Sequence, residues 1–242
     1  MLRFYYVIVT FIITIIYNIG KMKRWVKDPN KTMEEKYLYG QDMIRRIKKR
    51  GRITIKSYGQ ENLPKDGGYI MYANHQGKFD AQCILDAHPT PCTYVIGSKT
   101  KGQPLVTEFT AMLEAKWIDH KNVREQVGIF SQVTEEIKNG IRYLIFPEGG
   151  YDDNKNNLID FKSGCFTPAV RTGCPIIPVC LYDAWKIFGV NSLKKVTAYV
   201  YFLEPIYYEE YKDLRKAEIA ELVKSRINAK LEEIKQNNKD MK

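Results

Sequence analysis

Between residues 53 and 202, short runs of β-branched and aromatic residues alternate with stretches of helical periodicity. This alternation restricts the chain more than any other feature. Two parallel strands need a crossover long enough to hold a helix, so strands spaced by helices imply a largely parallel sheet. Strands are expected at 53–58, 69–73, 93–97, 116–119, 142–146, 176–181 and 196–202. Val123, Val127, Phe130, Val133 and Ile137 keep one face of a helix that Asn139 and Gly140 end. Further helices are expected from about Lys78 and over 105–113, and a short one after a polar loop at 149–164. Leu214, Ile219, Leu222, Val223, Ile227, Leu231 and Ile234 mark a long amphipathic helix near the C-terminus, before a polar tail. The predicted fold class is α/β, a mixed and largely parallel sheet flanked by helices.

An apolar segment precedes this pattern. Phe4 to Ile19 carries no charge. It falls a little short of the ~20 residues that cross a bilayer. No small-x-small cleavage site follows, and Lys21 comes instead, which disfavours a signal peptide. The expectation is an N-terminal membrane-anchoring helix, with a buried or interfacial helix as the open alternative. The more basic flank lies on its C-terminal side. That places the N-terminus outside and the body on the cytoplasmic side of the cell membrane. The chain divides accordingly into 1–27, anchor and basic collar, and 28–242, the folded domain.

Charge placement supports this. The formal net charge is +10, and residues 1–27 hold Arg3, Lys21, Lys23, Arg24 and Lys27 with no acid. A basic collar beside an apolar run fits anionic membrane lipids as partners and not nucleic acid. Residues 33–50 read as a basic amphipathic helix, either packed on the domain or making a second membrane contact; both readings stay open. Five cysteines without a C-x-x-C pair read as reduced, mostly buried thiols.

Three histidines occur. His88 lies in a proline-rich turn and is expected at the surface. His75 follows the predicted strand 69–73 directly, where α/β sheets gather their reactive groups. Asp80 lies five residues on, a poor spacing within one regular helix. It becomes a good one if His75 sits in the strand–helix turn, Gly77 permits a tight bend and Asp80 points back from the first helical turn. A carboxylate there accepts the Nδ1 hydrogen and leaves Nε2 free as a base. A satisfied turn histidine beside a helix-starting aspartate has the same spacing. Phe146-Pro147-Glu148-Gly149-Gly150 also ends a strand, and two glycines allow close backbone approach and anion-facing N–H groups. An exposed glutamate in a plain turn remains the alternative.

Taken in order, the blocks are more specific than any one of them. Glu61-Asn62-Leu63-Pro64, Asn74-His75-x4-Asp80, Phe146-Pro147-Glu148-Gly149 and Ile176-Ile177-Pro178-Val179 resemble the 1-acylglycerol-3-phosphate (lysophosphatidate) acyltransferase family of glycerolipid acyltransferases. The resemblance covers roughly residues 53–202. It implies that His75 takes the proton of the sn-2 hydroxyl of lysophosphatidate, which attacks the thioester of acyl-CoA or acyl-acyl-carrier-protein to give phosphatidate for phospholipid biosynthesis. Asp80 orients and charge-balances His75. Glu148, Gly149 and Gly150 help position the acceptor. No acyl-enzyme, metal or cofactor beyond the acyl donor is implied, so Cys83 is not expected to act as a nucleophile.

The departures concern the acceptor's phosphate. The family's middle block usually ends in arginine, and its F-P-E-G block continues with Thr or Ser and then Arg. This chain has Trp117-Ile118-Asp119-His120 and Gly149-Gly150-Tyr151. Neither residue reproduces arginine's bidentate fork. His120, Lys121, Arg124, Lys99, Lys101 and Lys162 are the nearby groups that can compensate. The alternative is a lyso-lipid acceptor without a phosphomonoester. A hydrolase lacks a G-x-S-x-G elbow or metal-ligand cluster to support it. A non-catalytic membrane or nucleic-acid binding protein rests on charge alone.

Overall fold

Every strand expected from the alternation is present in the computed structural model, which describes residues 1–240. The strands are β1 (Ile53–Tyr58), β2 (Ile70–Ala73), β3 (Thr93–Gly97), β4 (Lys116–Ile118), β5 (Tyr143–Ile145), β6 (Ile176–Tyr182) and β7 (Val196–Phe202). The described helices are α1 (Leu2–Lys27), α2 (Met33–Gly51), α3 (Asp80–Ala87), α4 (Val106–Met112), α5 (Val123–Lys138), α6 (Thr167–Thr172), α7 (Lys186–Gly189), α8 (Tyr208–Tyr211) and α9 (Lys216–Asp240). The polar tail continues α9 as far as Asp240.

One seven-stranded sheet runs in the order β1-β7-β6-β2-β5-β3-β4. All neighbours are parallel except β6 and β7. The exception has a local cause. Only the single turn α7 lies between β6 and β7, too little for a crossover, so the chain doubles back beside the strand it has just left.

β2 sits at the centre with all four residues buried. Met71 and Ala73 face the layer that holds α2, α3 and α4, whereas Ile70 and Tyr72 face the layer that holds α5, α6 and α9. A strand buried on both faces reads as an unbroken apolar run, and Ile-Met-Tyr-Ala does. Its carboxyl end is thus a fixed platform.

α1 packs on this body along one face. Val7, Ile15 and Met22 are buried, while Val9, Ile12, Ile13 and Ile16 are exposed. Both ends are tied down. The Arg3 guanidinium donates to the carbonyls of Ile187 at 2.6 Å and Lys186 at 3.2 Å, and also to that of Lys194. Lys23 pairs with Glu108 at 3.4 Å. α2 begins with a Thr32–Glu35 capping box and buries Tyr37, Met43 and Ile44 against the same layer.

The surface expectation for His88 fails. Its ring is fully buried. α2 covers the proline turn, with Tyr37 Oη and Gln41 Nε2 donating to the Leu85 and His88 carbonyls. His88 Nδ1–H donates to Thr90 O at 2.6 Å, so Nε2 accepts from the Tyr69 hydroxyl at 2.6 Å. Burial pushes its pKa down to about 4, which keeps the ring neutral. His88→Ala strands the Tyr69 hydroxyl and opens a cavity. Urea unfolding is expected to show a loss of ~2–4 kcal/mol, against a smaller loss for His75→Ala.

Candidate active site

The central strand delivers the chain to a turn stitched on both sides. Asn74 donates to Leu181 O at 3.0 Å and accepts from Leu181 N–H at 2.7 Å, which joins the end of β2 to β6. His75 follows, 20% exposed at its side chain. Its Nδ1 lies 2.8 Å from Asp80 Oδ2. The same oxygen accepts the backbone N–H of Gly77 at 2.8 Å and that of Gln76. Asp80 is fully buried and begins α3, two residues later than the sequence suggests. The carboxylate gathers the turn's donors ahead of the helix, so residues 76–79 stay outside it.

The expected role of Gly77 is not what the backbone shows. Gly77 has no positive φ. The carboxylate makes the bend, and Gly77 instead sits close to the backbone of Trp185, whose Cα would lie 3.5 Å from an added Cβ. The His75 ring stacks on Phe146, centroids 4.4 Å apart and 25° between planes, and meets the edge of Tyr151 at 4.6 Å. With Nδ1 engaged, Nε2 remains to accept a proton. Cys83 is no rival nucleophile. It is fully buried, and burial followed by the nearby Asp80 charge raises its thiol well above the usual range.

Glu148 is buried at 3% exposure, which removes the reading of an exposed turn glutamate. Burial pushes its carboxyl up to about 8; the backbone amides of His75 and Ile159 oppose this, and the Asp80 charge adds to it. At neutral pH it is therefore chiefly a neutral acid under His75. Asn154 Nδ2 bridges it, 3.4 Å from Glu148 Oε2 and 3.1 Å from His75 O. Gly149 and Gly150 have φ of 71° and 153°, a backbone only glycine adopts without strain. The Gly149 N–H is already donated to Phe146 O at 3.1 Å, so of this pair only Gly150's remains for a ligand.

The nominated cations separate into two groups. Lys162, anchored by its N–H to Pro147 O at 2.9 Å, lays its ammonium along Gly149, where an added Cβ would come within 2.5 Å of Nζ. His120 approaches Gly97, with Nε2 3.3 Å from an added Cβ there. Burial lowers the His120 pKa, then the positive charges of Lys162 and Lys99 lower it further, against Asp119. Lys162, His120 and Lys99 thus share one electropositive corner at the carboxyl ends of β5, β4 and β3. All six are exposed, and Lys101, Lys121 and Arg124 are not among the charges that act on His120.

Sequence reasoning missed the polar frame of the site. Gln76 accepts from Ala184 N–H at 3.0 Å and donates to Leu181 O at 2.8 Å and Asn156 Oδ1 at 3.1 Å. Asn156 in turn holds Asp183 through its N–H at 2.8 Å and its carboxylate at 2.9 Å. Only the clustering of Asn154, Asn156 and Asn157 in one polar loop hinted at this.

Glu148 also gives a pH signature. Its carboxyl titrates near 4.5 when unfolded and about 8 when folded, so between those values the folded state holds the extra proton. The stabilisation is complete below pH 4.5 and is lost as pH rises through 8. Thermal melts from pH 5 to 8.5 are expected to show a falling Tm in the wild type. Glu148→Gln, which mimics the neutral acid, should flatten that fall by several degrees (~2–4 °C per kcal/mol).

Residues 54–182 match the family model described as Acyltransferase. The chain is 29% identical over 188 residues to the 1-acyl-sn-glycerol-3-phosphate acyltransferase of Saccharomyces cerevisiae, covering 75% of this chain and 61% of that protein. It therefore spans about three fifths of the yeast relative's length. It is 28% identical over 170 residues to the Escherichia coli protein of the same name, covering 69% of each. The crystal structure of the 1-acyl-sn-glycerophosphate (LPA) acyltransferase PlsC from Thermotoga maritima superposes with a TM-score of 0.76 at 21% identity. That match covers 97% of this chain and 94% of the other, and at such identity it is a likeness of fold. With the matched segment running from the first strand through both sequence blocks to the end of β6, this chain belongs to the acyltransferase family.

Proposed function

We propose that the protein transfers a fatty acyl chain from a thioester donor, acyl-CoA or acyl-acyl-carrier-protein, to the sn-2 hydroxyl of lysophosphatidate, giving phosphatidate. The observation that carries this reading is the His75–Asp80 contact at 2.8 Å with Nε2 left free. His75 accepts the hydroxyl proton as the oxygen attacks the thioester carbonyl. Asp80 fixes the tautomer and balances the imidazolium charge. The C–O bond forms, the C–S bond breaks and the proton passes to the departing thiolate.

The acceptor's phosphate fits the corner formed by Lys162, Lys99 and His120. The Lys162 and Lys99 ammonium groups supply the positive charge there, His120, with its pKa lowered, adds a hydrogen-bonding ring, and Gly150 offers a backbone donor beside them. A second reading, an acceptor without a phosphomonoester, follows from the missing arginines. A panel of lyso-lipids separates the two. Lys162→Ala is expected to raise KM about tenfold or more for lysophosphatidate and to leave lyso-lipids with neutral headgroups unchanged. Turnover confined to acceptors without a phosphomonoester would overturn the substrate while leaving the chemistry. His75→Ala is expected to lower kcat by about 10²–10⁴-fold in the same assay. Retained activity would falsify His75 as the base.

Membrane attachment takes a particular form in this proposal. α1 is long and apolar enough to cross a bilayer. Yet both its ends are bound to the body, so we read it as lying in one leaflet on the cytoplasmic side, not as a span with its N-terminus outside. Its exposed Val9, Ile12, Ile13 and Ile16 face lipid, and the basic collar meets anionic headgroups. Replacing Ile13 and Ile16 with Asp removes two side chains worth ~1.5–3 kcal/mol each on burial. Co-sedimentation with anionic vesicles is expected to fall at least tenfold.

A further inference from the structure

The polar loop that follows β5 is closed at its base and fastened at its tip. Lys162 N–H donates to Pro147 O at 2.9 Å, so the two ends lie side by side, the form of an Ω-loop. At the tip, Asn157 N–H donates to Asn154 O at 2.9 Å and Asn154 Nδ2 donates to Asn157 O at 3.0 Å. Asn156 then accepts the Asp183 N–H at 2.8 Å and donates to its carboxylate at 2.9 Å. The loop thus leaves β5 and reaches the segment after β6. Because β2 stands between those strands, the loop crosses the carboxyl end of β2, where His75 and Gln76 lie. Its asparagines grip that dipeptide, Asn154 Nδ2 donating to His75 O at 3.1 Å and Asn156 Oδ1 accepting from Gln76 Nε2 at 3.1 Å. Resting on the acyl-transfer reading above, we propose that Asn154 and Asn156 are positioning residues for the base. The loop is a strap that fixes residues 75 and 76, while Asp80 fixes the ring.

Two observations set the strap apart from ordinary loop packing. An asparagine in a turn usually offers its side-chain oxygen to a backbone N–H of the same turn. Asn154 Oδ1 is instead buried without a partner, and the amide nitrogen faces His75 O, with Glu148 Oε2 3.4 Å away. An orphaned buried acceptor is costly, and the arrangement that incurs it is the one that holds the base. The backbone is strained at matching points. Lys155, between the two asparagines, and Asp183, which receives the second, have φ of 51° and 61°. Side chains with a Cβ seldom adopt this region, and such strain persists where the surroundings impose it. Both costs serve one geometry, the hold of residues 154 and 156 on residues 75 and 76.

The test measures kinetics in detergent with acyl-CoA and the best acceptor of the lyso-lipid panel. Asn154→Ala is expected to lower kcat about tenfold with KM for both substrates within about twofold, because a displaced base slows the chemical step and leaves binding intact. A second pair of variants keeps both asparagines. Lys155→Asn and Lys155→Val each remove the ammonium that lies 3.6 Å from Asp153 and 5.5 Å from the centre of the Trp185 ring. Asparagine accepts the left-handed backbone and a β-branched residue does not, so Lys155→Asn is expected to keep kcat within about twofold and Lys155→Val to match the loss in Asn154→Ala. Magnetic resonance of protein carrying isotope-labelled histidine reads the base without turnover, since only three histidines occur and His75→Ala identifies its signals. The His75 Nδ1 proton signal is expected to persist in Lys155→Asn and to broaden or vanish in Asn154→Ala and Lys155→Val. Unchanged kcat in Asn154→Ala, equal losses in the two Lys155 variants, or a rise in KM alone overturns the assignment. Wild-type protein that transfers acyl groups to no acceptor removes the acyl-transfer reading instead, and the ring signals still decide the strap.

Discussion

One carboxylate oxygen organises the site. Asp80 Oδ2 collects the His75 imidazole and the N–H groups of Gln76 and Gly77, and it does so fully buried. Leaving any of these donors unpaired there is costly, so the ring, the turn and the start of α3 are ordered together. The contact that orients the base is therefore also the contact that shapes the loop, and the two roles cannot be separated by substituting Asp80. Asn74 and Gln76 extend the same logic outward by tying the turn to β6 and to Ala184.

The sheet order then gives the base two unlike flanks. Because β2 lies between β5 and β6, loops from opposite halves of the sheet converge on His75 without competing for space. The flank with Lys162 and Lys99 carries positive charge beside Asp119, while Trp185 and Phe188 stand on the segment that follows β6. The proposed transfer requires an anionic headgroup and a thioester to be held at once beside His75. Beneath both flanks Glu148 stays chiefly protonated, so the carboxyl under the base adds little negative charge of its own.

α1 presents an unpaired apolar face on the same body. The helix has one apolar face too many for a soluble body: Val7, Ile15 and Met22 are satisfied by packing, and the opposite face is left exposed. The Arg3 contacts tie its N-terminus to α7 and to the segment that leads into β7. In the proposed reaction acceptor and product both carry acyl chains, and a helix lying in the interface would hold the site beside them.

Much of the fold was legible from periodicity, because strands buried on both faces and amphipathic helices impose patterns that survive any tertiary context. The seven strands, α5 and α9 were read correctly to within a few residues. The contact between His75 and Asp80 was foreseen through the order of the neighbouring blocks, although the spacing alone favoured a structural turn. Other features were invisible for a physical reason. Whether a turn histidine is exposed depends on what covers it, and α2 buries His88 from more than forty residues away. Which cations meet is decided by strand order, so Lys162 and Lys99, distant in the chain, both act on His120. The sequence by itself determined the α/β class and the apolar helix, since each rests on local pattern, and the order of the blocks pointed to the His75–Asp80 contact. Only the tertiary structure decided the neutral state of Glu148, the hold of the body on α1 and the two flanks of the base. Desolvation and proximity come from parts of the chain that meet only when folded.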